Sequence, residues 1–314
     1  MRGFTHINAT TVDEASSAKA DNGTILAGGT DVLGMEKDFV LSTSAGTMVN
    51  IKTIPDLNNI ADDGGLKIGA LATLTDIAES SVVNSKWSSL AEGALKVGTP
   101  QLRNMGTIAG NLAQECRCWY YRAHGNFFNC LRKGGNLCFA TIGNNTFNAI
   151  LGGQACFAVA ASDTAIPLTA LDATVVTNQR SMPIGDLFVV LGNTLGDDEI
   201  ITEIQVPAPA AGTIQAFKKY ARRKSFDFAC ASAAVSITVS GGNVSECKIA
   251  LGGVAPVPWR ASAAEDELTG GPVNATTAAA AAAKATDGSF VLPNNGWLIS
   301  VTRAMVERAI LAAV

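Results

Sequence analysis

An α+β fold in two parts is predicted by three features of the sequence. Strand-length apolar runs alternate with segments of helical period through the first part of the chain. The Pro-Ala-Gly stretch "PAPAAGT" (Pro207–Thr213) then interrupts the pattern, and beyond it long strand-like runs are followed by helical segments. The expected division is therefore residues 1–208 and residues 209–314.

In the first part, the run Thr24–Ala27 of "GTILAGGTDVLG" has strand length, Gly28-Gly29 breaks it, and the residues after Thr30 resume at helical spacing. "GTMVNIKTIPDLNNI" continues the alternation. "GLKIGALATLTDIAES" (Gly65–Ser80) reads as a strand and then a helix capped by Thr75 or Asp76. A second glycine-rich unit follows at "VGTPQLRNMGTIAGNLAQ" (Val97–Gln114). "NAILGGQACFAVAASDTAIPLTALDATVVT" (Asn148–Thr177) predicts two strands around a short helix, and "EIITEIQVPAP" (Glu199–Pro209) a strand ended by prolines.

In the second part, "CASAAVSITVSGGNVSECKIALGGVA" (Cys230–Ala255) is strand-like. The alanine run Ala278–Ala283 has high helix propensity. "WLISVTRAMVERAILAAV" (Trp297–Val314) carries apolar residues at helical spacing and is expected to pack on the second sheet.

Composition excludes several classes of function. A net charge of -4 with 16% charged residues supplies no basic face for nucleic acid. The longest apolar candidate, Ala149–Val176, is interrupted by Gly152, Gly153, Gln154, Asp163, Pro167 and Asp172, so no membrane span is expected. The N-terminus "MRGFTHINATTVDEA" has no apolar core of a signal and reads as the start of a soluble, cytoplasmic protein; export alongside a signal-bearing partner is compatible with it. Only His6 and His124 are histidines, which argues against imidazole-rich zinc sites and Ser-His-Asp hydrolysis.

Sulfur is the unusual element. Of seven cysteines, five fall between Cys116 and Cys156. Such crowding in a chain without secretory features points to metal more than to disulfides. Cys118, Cys130, Cys138 and Cys156 give C-x11-C-x7-C-x17-C, which lacks both the C-x2-C knuckles of structural zinc and the close ferredoxin run. Spacing alone leaves a cluster, zinc and unligated thiols all open. Cys230 and Cys247 read as small buried hydrophobes.

Two glycine turns are candidates for binding a phosphate. "ILAGGTDVL" (Ile25–Leu33) is a strand, a turn and a helix start, where successive backbone N–H groups form a concavity for an anion. It is neither G-x-G-x-x-G nor a P-loop, and a plain tight turn accounts for it as well. "GTIAGNL" (Gly106–Leu112) repeats the chemistry, with Thr107 and Asn111 as side-chain donors. Two such turns would suit the two halves of a pyrophosphate.

"ILAGGTDVL", "KIGALATLTDIAES", "QLRNMGTIAGNLAQ", "ASDTAIPLTALDA", "IITEIQVP" and "IALGGVAPVPWR" occur in that order. Together they resemble the FAD-binding medium subunit of the molybdenum hydroxylases, the xanthine dehydrogenase and carbon monoxide dehydrogenase family. The likeness runs nearly the whole chain. It implies an FAD-binding domain of the vanillyl-alcohol-oxidase type followed by a smaller domain of antiparallel sheet and helices. It further implies that Ile25, Leu26, Ala27, Gly28, Gly29, Thr30, Asp31, Val32 and Leu33 wrap the FAD pyrophosphate, with Thr107, Gly110 and Asn111 completing the grip and Val97 among the contacts. Asp163 would lie near the ribityl and adenosine part, and the backbone of Ile201 and Thr202 beside the isoalloxazine ring. Lys219 would contact the flavin, with Lys218 the alternative. Relatives often read "HPSD" where this chain has "AASD" (Ala160–Asp163).

The stretch "CRCWYYRAHGNFFNCLRKGGNLCFATIGNN" (Cys116–Asn145), with "NAILGGQAC" after it, is similar to a loop found in a subgroup of this family. That subgroup includes 4-hydroxybenzoyl-CoA reductases and periplasmic aldehyde oxidoreductases, whose loop holds a [4Fe–4S] cluster. The resemblance implies Cys118, Cys130, Cys138 and Cys156 as ligands in a loop at about 115–157. Cys116 is the alternative to Cys118, and Cys156 replaces a fourth ligand that would otherwise fall near Phe147. The expected function is then an oxidoreductase subunit for electron transfer. Its partners would be a large subunit with a molybdenum cofactor, a small subunit with [2Fe–2S] clusters, and an external acceptor (ferredoxin, NAD, a quinone or oxygen). A free-standing flavin oxidase and a zinc-holding module are the competing readings. No residue stands out as a general acid, base or nucleophile.

Overall fold

The computed structural model describes the whole chain, Met1–Val314. Its N-terminal part opens with β1 (Thr5–Asn8), α1 (Val12–Ala20), β2 (Gly23–Leu26), α2 (Val32–Lys37) and β3 (Thr47–Asn50). Thr11 caps α1 by accepting from the Glu14 amide, and Glu14 returns a bond to the Thr10 amide at 2.7 Å. The three strands form a parallel sheet in the order β1-β3-β2, so the turn after β2 emerges at the strand's C-terminal end.

A five-stranded antiparallel sheet follows, beginning with β4 (Ile60–Asp62) and β5 (Gly65–Gly69) joined through Asp63-Gly64. Asp62 pairs with Leu66, and Gly64, with φ 66, supplies the left-handed residue of the tight loop between them. Four short helices come next: α3 (Leu74–Glu79), α4 (Ser81–Lys86), α5 (Ser88–Leu95) and α6 (Pro100–Arg103). The cap of α3 is Thr73, not Thr75 or Asp76. Asp76 is its capping-box partner, bonding the Thr73 amide at 2.9 Å. Helix α7 (Ile108–Ala113) is capped by Thr107. Trp87 is fully buried at the centre of this core and donates its indole N–H to Pro207 O at 2.8 Å.

Between α7 and α8 (Ala165–Ala170) the cysteine segment forms three short 3₁₀ turns and no strand. The chain then supplies β6 (Thr174–Thr177), β7 (Ser181–Pro183), α9 (Ile184–Leu187), a small hairpin of β8 (Phe188–Val189) and β9 (Gly192–Asn193), and β10 (Ile201–Pro207). The larger sheet thus has the order β4-β5-β10-β6-β7.

Of the two strands expected in Asn148–Thr177, only β6 forms. Residues around 149–160 bond instead to a turn of the C-terminal part: Ile150 N to Val254 O at 2.9 Å and Ala160 N to Ala255 O at 2.9 Å. Gly152, with φ 60, turns the segment back on itself, and Ala149 N reaches Phe157 O at 2.8 Å. The apolar run is buried by this packing, so it needs no ladder.

Beyond the turn at Gly212, β11 (Thr213–Tyr220), β12 (Ala231–Ser240), β13 (Asn243–Gly252) and β14 (Trp259–Arg260) form an antiparallel sheet in sequence order. Gly241 and Gly242 (φ 60 and 83) make the two-residue turn between β12 and β13. Helices α10 (Ser262–Leu268), α11 (Ala275–Lys284) and α12 (Trp297–Ala312) follow, and α12 lies on β11 and β12 as its periodicity predicts. Ala278, Ala281 and Ala282 of α11 are buried in this core. No helix is long and apolar enough to cross a membrane.

The two parts share a seam. Ile166 and Ala170 of α8 pack with Phe217, Ala234 and Ala250 of the C-terminal sheet. Glu92 of α5 accepts from the Phe217 amide at 2.9 Å.

Candidate functional site

The end of β2, the turn before α7 and the C-terminal strand β11 together enclose a cleft of about 1300 Å³. Its floor is the first glycine turn. Gly29 has φ 72, and the amides of Gly28, Gly29, Thr30 and Asp31 donate to no other atom of the protein. Such a run of free N–H groups is a nest for an anion. A Cβ on Gly28 would collide with Met105 O, so the two glycine turns touch only because Gly28 has no side chain.

The second turn differs from the first. Its amides are mostly spent within the protein: Ile108 N on Ala72 O at 2.9 Å, Asn111 N on Thr107 O at 2.8 Å, and Gly110 N on Thr107 Oγ1 at 3.2 Å. The Asn111 Oδ1 atom accepts from Ser162 and Thr164, both at 2.6 Å, which ties α7 to the "ASDTA" loop. The second turn supports the cleft, and the first offers the open donors.

Most of the expected contact residues line this cleft: Ile25, Ala27, Gly28, Gly29, Thr30, Asp31, Val32, Val97, Thr107, Gly110, Asn111, Asp163, Ile201 and Lys219. Leu26, Leu33 and Thr202 do not. Leu26 and Leu33 both pack beneath Gly29, while Thr202 accepts from Ala70 N at 2.9 Å and donates from Oγ1 to Val176 O at 3.3 Å. Of the two adjacent lysines, Lys219 reaches the cleft and Lys218 does not, because neighbouring side chains of β11 alternate across the sheet. Asp163 and Lys219 pair with each other at 2.6 Å, and burial pushes the Asp163 carboxyl upward against the pull of Lys219.

Sequence reasoning missed the arginines of the cleft. Asp31 makes no helix-capping bond; its carboxylate takes Arg122 Nη2 at 2.7 Å, Arg117 Nη2 at 3.0 Å and the Glu115 amide at 3.0 Å. Arg117 also stacks on Phe228 of the C-terminal part, 4.6 Å from the ring centroid. The signal lies in "CRCWYYR", which sets Arg117 between Cys116 and Cys118 and Arg122 after the two tyrosines.

Cys118, Cys130, Cys138 and Cys156 all line one small pocket with Tyr120, Tyr121 and Phe139. Cys116 lies outside it, against a neighbouring hollow shared with Arg132 and Ser162. Burial raises the Cys116 thiol to about 11. Cys138 and Cys156 influence each other: the neighbouring Cys156 thiol draws Cys138 below its ordinary value, and Cys156 is pushed up in return. No three His, Cys, Asp or Glu side chains converge closely enough to hold a single metal ion. Two donors buried in this region have no partner, Arg132 Nε and Lys133 Nζ, and the lysine sits 5.4 Å from the Tyr121 ring centroid.

A parallel βαβ entry, an open amide nest in a long cleft and a C-terminal antiparallel sheet closing one side define a dinucleotide-binding protein without the Rossmann fingerprint. Residues 2–209 match the family described as the FAD binding domain in molybdopterin dehydrogenase, and residues 215–295 match the CO dehydrogenase flavoprotein C-terminal domain. The chain belongs to the FAD-binding medium subunits of the molybdopterin dehydrogenase family. It is 33% identical over 285 residues to the aldehyde oxidoreductase FAD-binding subunit PaoB of Escherichia coli K12, covering 86% of this chain and 87% of that one. It is 30% identical over 248 residues to the carbon monoxide dehydrogenase medium chain of Hydrogenophaga pseudoflava, covering 78% and 72%. A solved structure of carbon monoxide dehydrogenase from the same organism, lacking the Mo-pyranopterin moiety, superposes with a TM-score of 0.79 at 28% identity over 99% of this chain and 97% of that one.

Proposed function

We propose that this chain is the FAD-carrying electron-transfer subunit of a molybdenum hydroxylase complex, with its domains dividing at residue 208/209. The observation that carries the reading is the open nest at Gly28–Asp31 inside a cleft long enough for an extended dinucleotide. The free amides hold the pyrophosphate and the Asn111 region closes behind it. Arg117 and Arg122, neutralised in part by Asp31, make the cleft wall cationic without leaving a bare charge. Bound FAD takes and returns electrons one or two at a time, and the protein orients it and excludes water. No histidine or cysteine lines the cleft, which supports non-covalent binding and disfavours an oxidase with covalent flavin.

We further infer that Cys118, Cys130, Cys138 and Cys156 hold a [4Fe–4S] cluster. Two features fit. The four thiols share one pocket, and Cys116 stands apart from it. Buried, unpartnered donors on Arg132 and Lys133 suit a site whose four thiolates outweigh the core's positive charge. A large molybdenum subunit and a small [2Fe–2S] subunit would be partners; the words "medium chain" in a relative's name support further chains in the complex. Ferredoxin, NAD, a quinone or oxygen would be the final acceptor.

The test is analysis of the protein made with ample iron and riboflavin. Acid-released FAD near one per chain is expected, with about four iron and four sulfide. Protein that binds no flavin overturns the first reading. Flavin with zinc or no metal overturns only the second.

A further inference from the structure

The hollow beside the cysteine pocket joins two sites that the sequence treats separately. Arg132 lines both the cysteine pocket and this hollow. Glu115 lines both the hollow and the flavin cleft. The two side chains meet at 3.4 Å, Arg132 Nη1 to Glu115 Oε2. The guanidinium is anchored by Nη2 on Val190 O at 2.9 Å, its side chain is 6% exposed, and its buried Nε has no acceptor. Glu115 is tied in turn to the cleft: its amide donates to Asp31 at 3.0 Å, and its carbonyl accepts from Arg122 at 3.1 Å and from Arg117.

We propose that Arg132 is a positioning residue that sets how electrons divide between flavin and cluster, with Glu115 as its counterweight. The inference rests on the cluster assignment above. With both groups bound, an electron held by the cluster and not by the flavin would add one negative charge beside Cys156 and take it from the cleft side. A buried cation next to the cluster favours that charge, and the low local dielectric strengthens the effect. An N–H donor available to cluster sulfur acts in the same direction. The carboxylate of Glu115 opposes both. Removing either partner therefore shifts the cluster's potential, and the two shifts have opposite signs. A merely structural ion pair would not produce that pattern.

The experiment is redox titration of the flavin-loaded protein, reading the cluster by its paramagnetic resonance and the flavin by its absorbance. Arg132→Gln is expected to disfavour the reduced cluster about tenfold, about 59 mV downward for one electron. Arg132→Lys is expected to fall between it and the parent, and Glu115→Gln to move the cluster upward. An unchanged cluster potential in Arg132→Gln, or shifts of the same sign in Arg132→Gln and Glu115→Gln, overturns the proposal. If Arg132→Gln fails to retain iron, the Lys variant and Glu115→Gln decide by the same criterion. A parent protein without any cluster signal overturns the cluster assignment instead, a result distinguishable from an unmoved potential.

Discussion

Lys219 of the C-terminal sheet donates to Asp163 of the N-terminal part at 2.6 Å, with both side chains only 6% exposed. The same ammonium reaches Lys96 O at 2.9 Å, so one side chain ties β11 to the ends of α5 and the "ASDTA" loop. Breaking a buried pair on one side leaves an uncompensated charge. Lys219→Met is expected to cost about 3–5 kcal/mol, read as a lower denaturation midpoint. Adding Asp163→Asn to it should recover part of the loss, since the stranded carboxylate is then gone. Equal midpoints for single and double variants would show that the pair is not coupled.

Gly28→Ala tests the contact between the glycine turns. The new Cβ meets backbone at Met105, which cannot swing aside as a side chain would. Flavin affinity is expected to fall at least tenfold, measured by equilibrium titration of the flavin-free protein with FAD. Gly185→Ala is the control, because nothing lies within 4 Å of that position and it sits in a helix. It should be neutral or stabilising by up to about 1 kcal/mol.

Asp31 holds the cysteine segment to the first glycine turn through Arg117, Arg122 and the Glu115 amide. Asp31→Ala leaves two half-buried guanidiniums without their carboxylate, at a cost of about 1–3 kcal/mol. Flavin content and protection of residues 115–125 from amide exchange should fall together. Loss of flavin alone, with exchange unchanged, would mean that the clamp is not structural.

Glu199 gives a pH signature. Its carboxylate takes Arg180 Nε at 2.8 Å, Thr177 Oγ1 at 2.8 Å and the Gly196 amide at 2.9 Å, closing the loop that leads into β10. The Arg180 hydrogen bond first, with the other donors, holds it down from the ordinary 4.5 to about 2. A depressed folded-state value contributes stability above the unfolded value and loses it as pH falls. The parent should therefore lose about 2 kcal/mol between pH 4.5 and 2 through this group. In Glu199→Gln that part of the pH dependence should vanish, measured as urea midpoints across the range. A variant with the parent's acid profile would count against the assignment.

Much of the N-terminal half was legible because its signals are local. The break at Gly28-Gly29 needs only a positive φ at Gly29 and a bare backbone at Gly28. In the C-terminal part the amphipathic α12 is equally self-contained. The first of the two strands expected in Asn148–Thr177 failed for a different reason. An apolar run records that a segment is buried, but its hydrogen bonds went to Val254 and Ala255, about a hundred residues later in the chain. The cap of α3 lies two residues before Thr75 because Thr73 and Thr75 are equivalent as residue types, and the reciprocal bonds of Thr73 with Asp76 select between them.

The amino-acid order by itself determined the two glycine turns, the strand-like runs of the C-terminal part and the grouping of cysteines, since each depends on residues close together in the chain. Folding in three dimensions decided which of those parts meet. It spent the second turn's amides internally, paired Asp163 with Lys219, turned Asp31 toward Arg117 and Arg122, and separated Cys116 from the other four-cysteine pocket. Charges and donors choose partners by distance and burial, and neither quantity is written in a residue's neighbours along the chain.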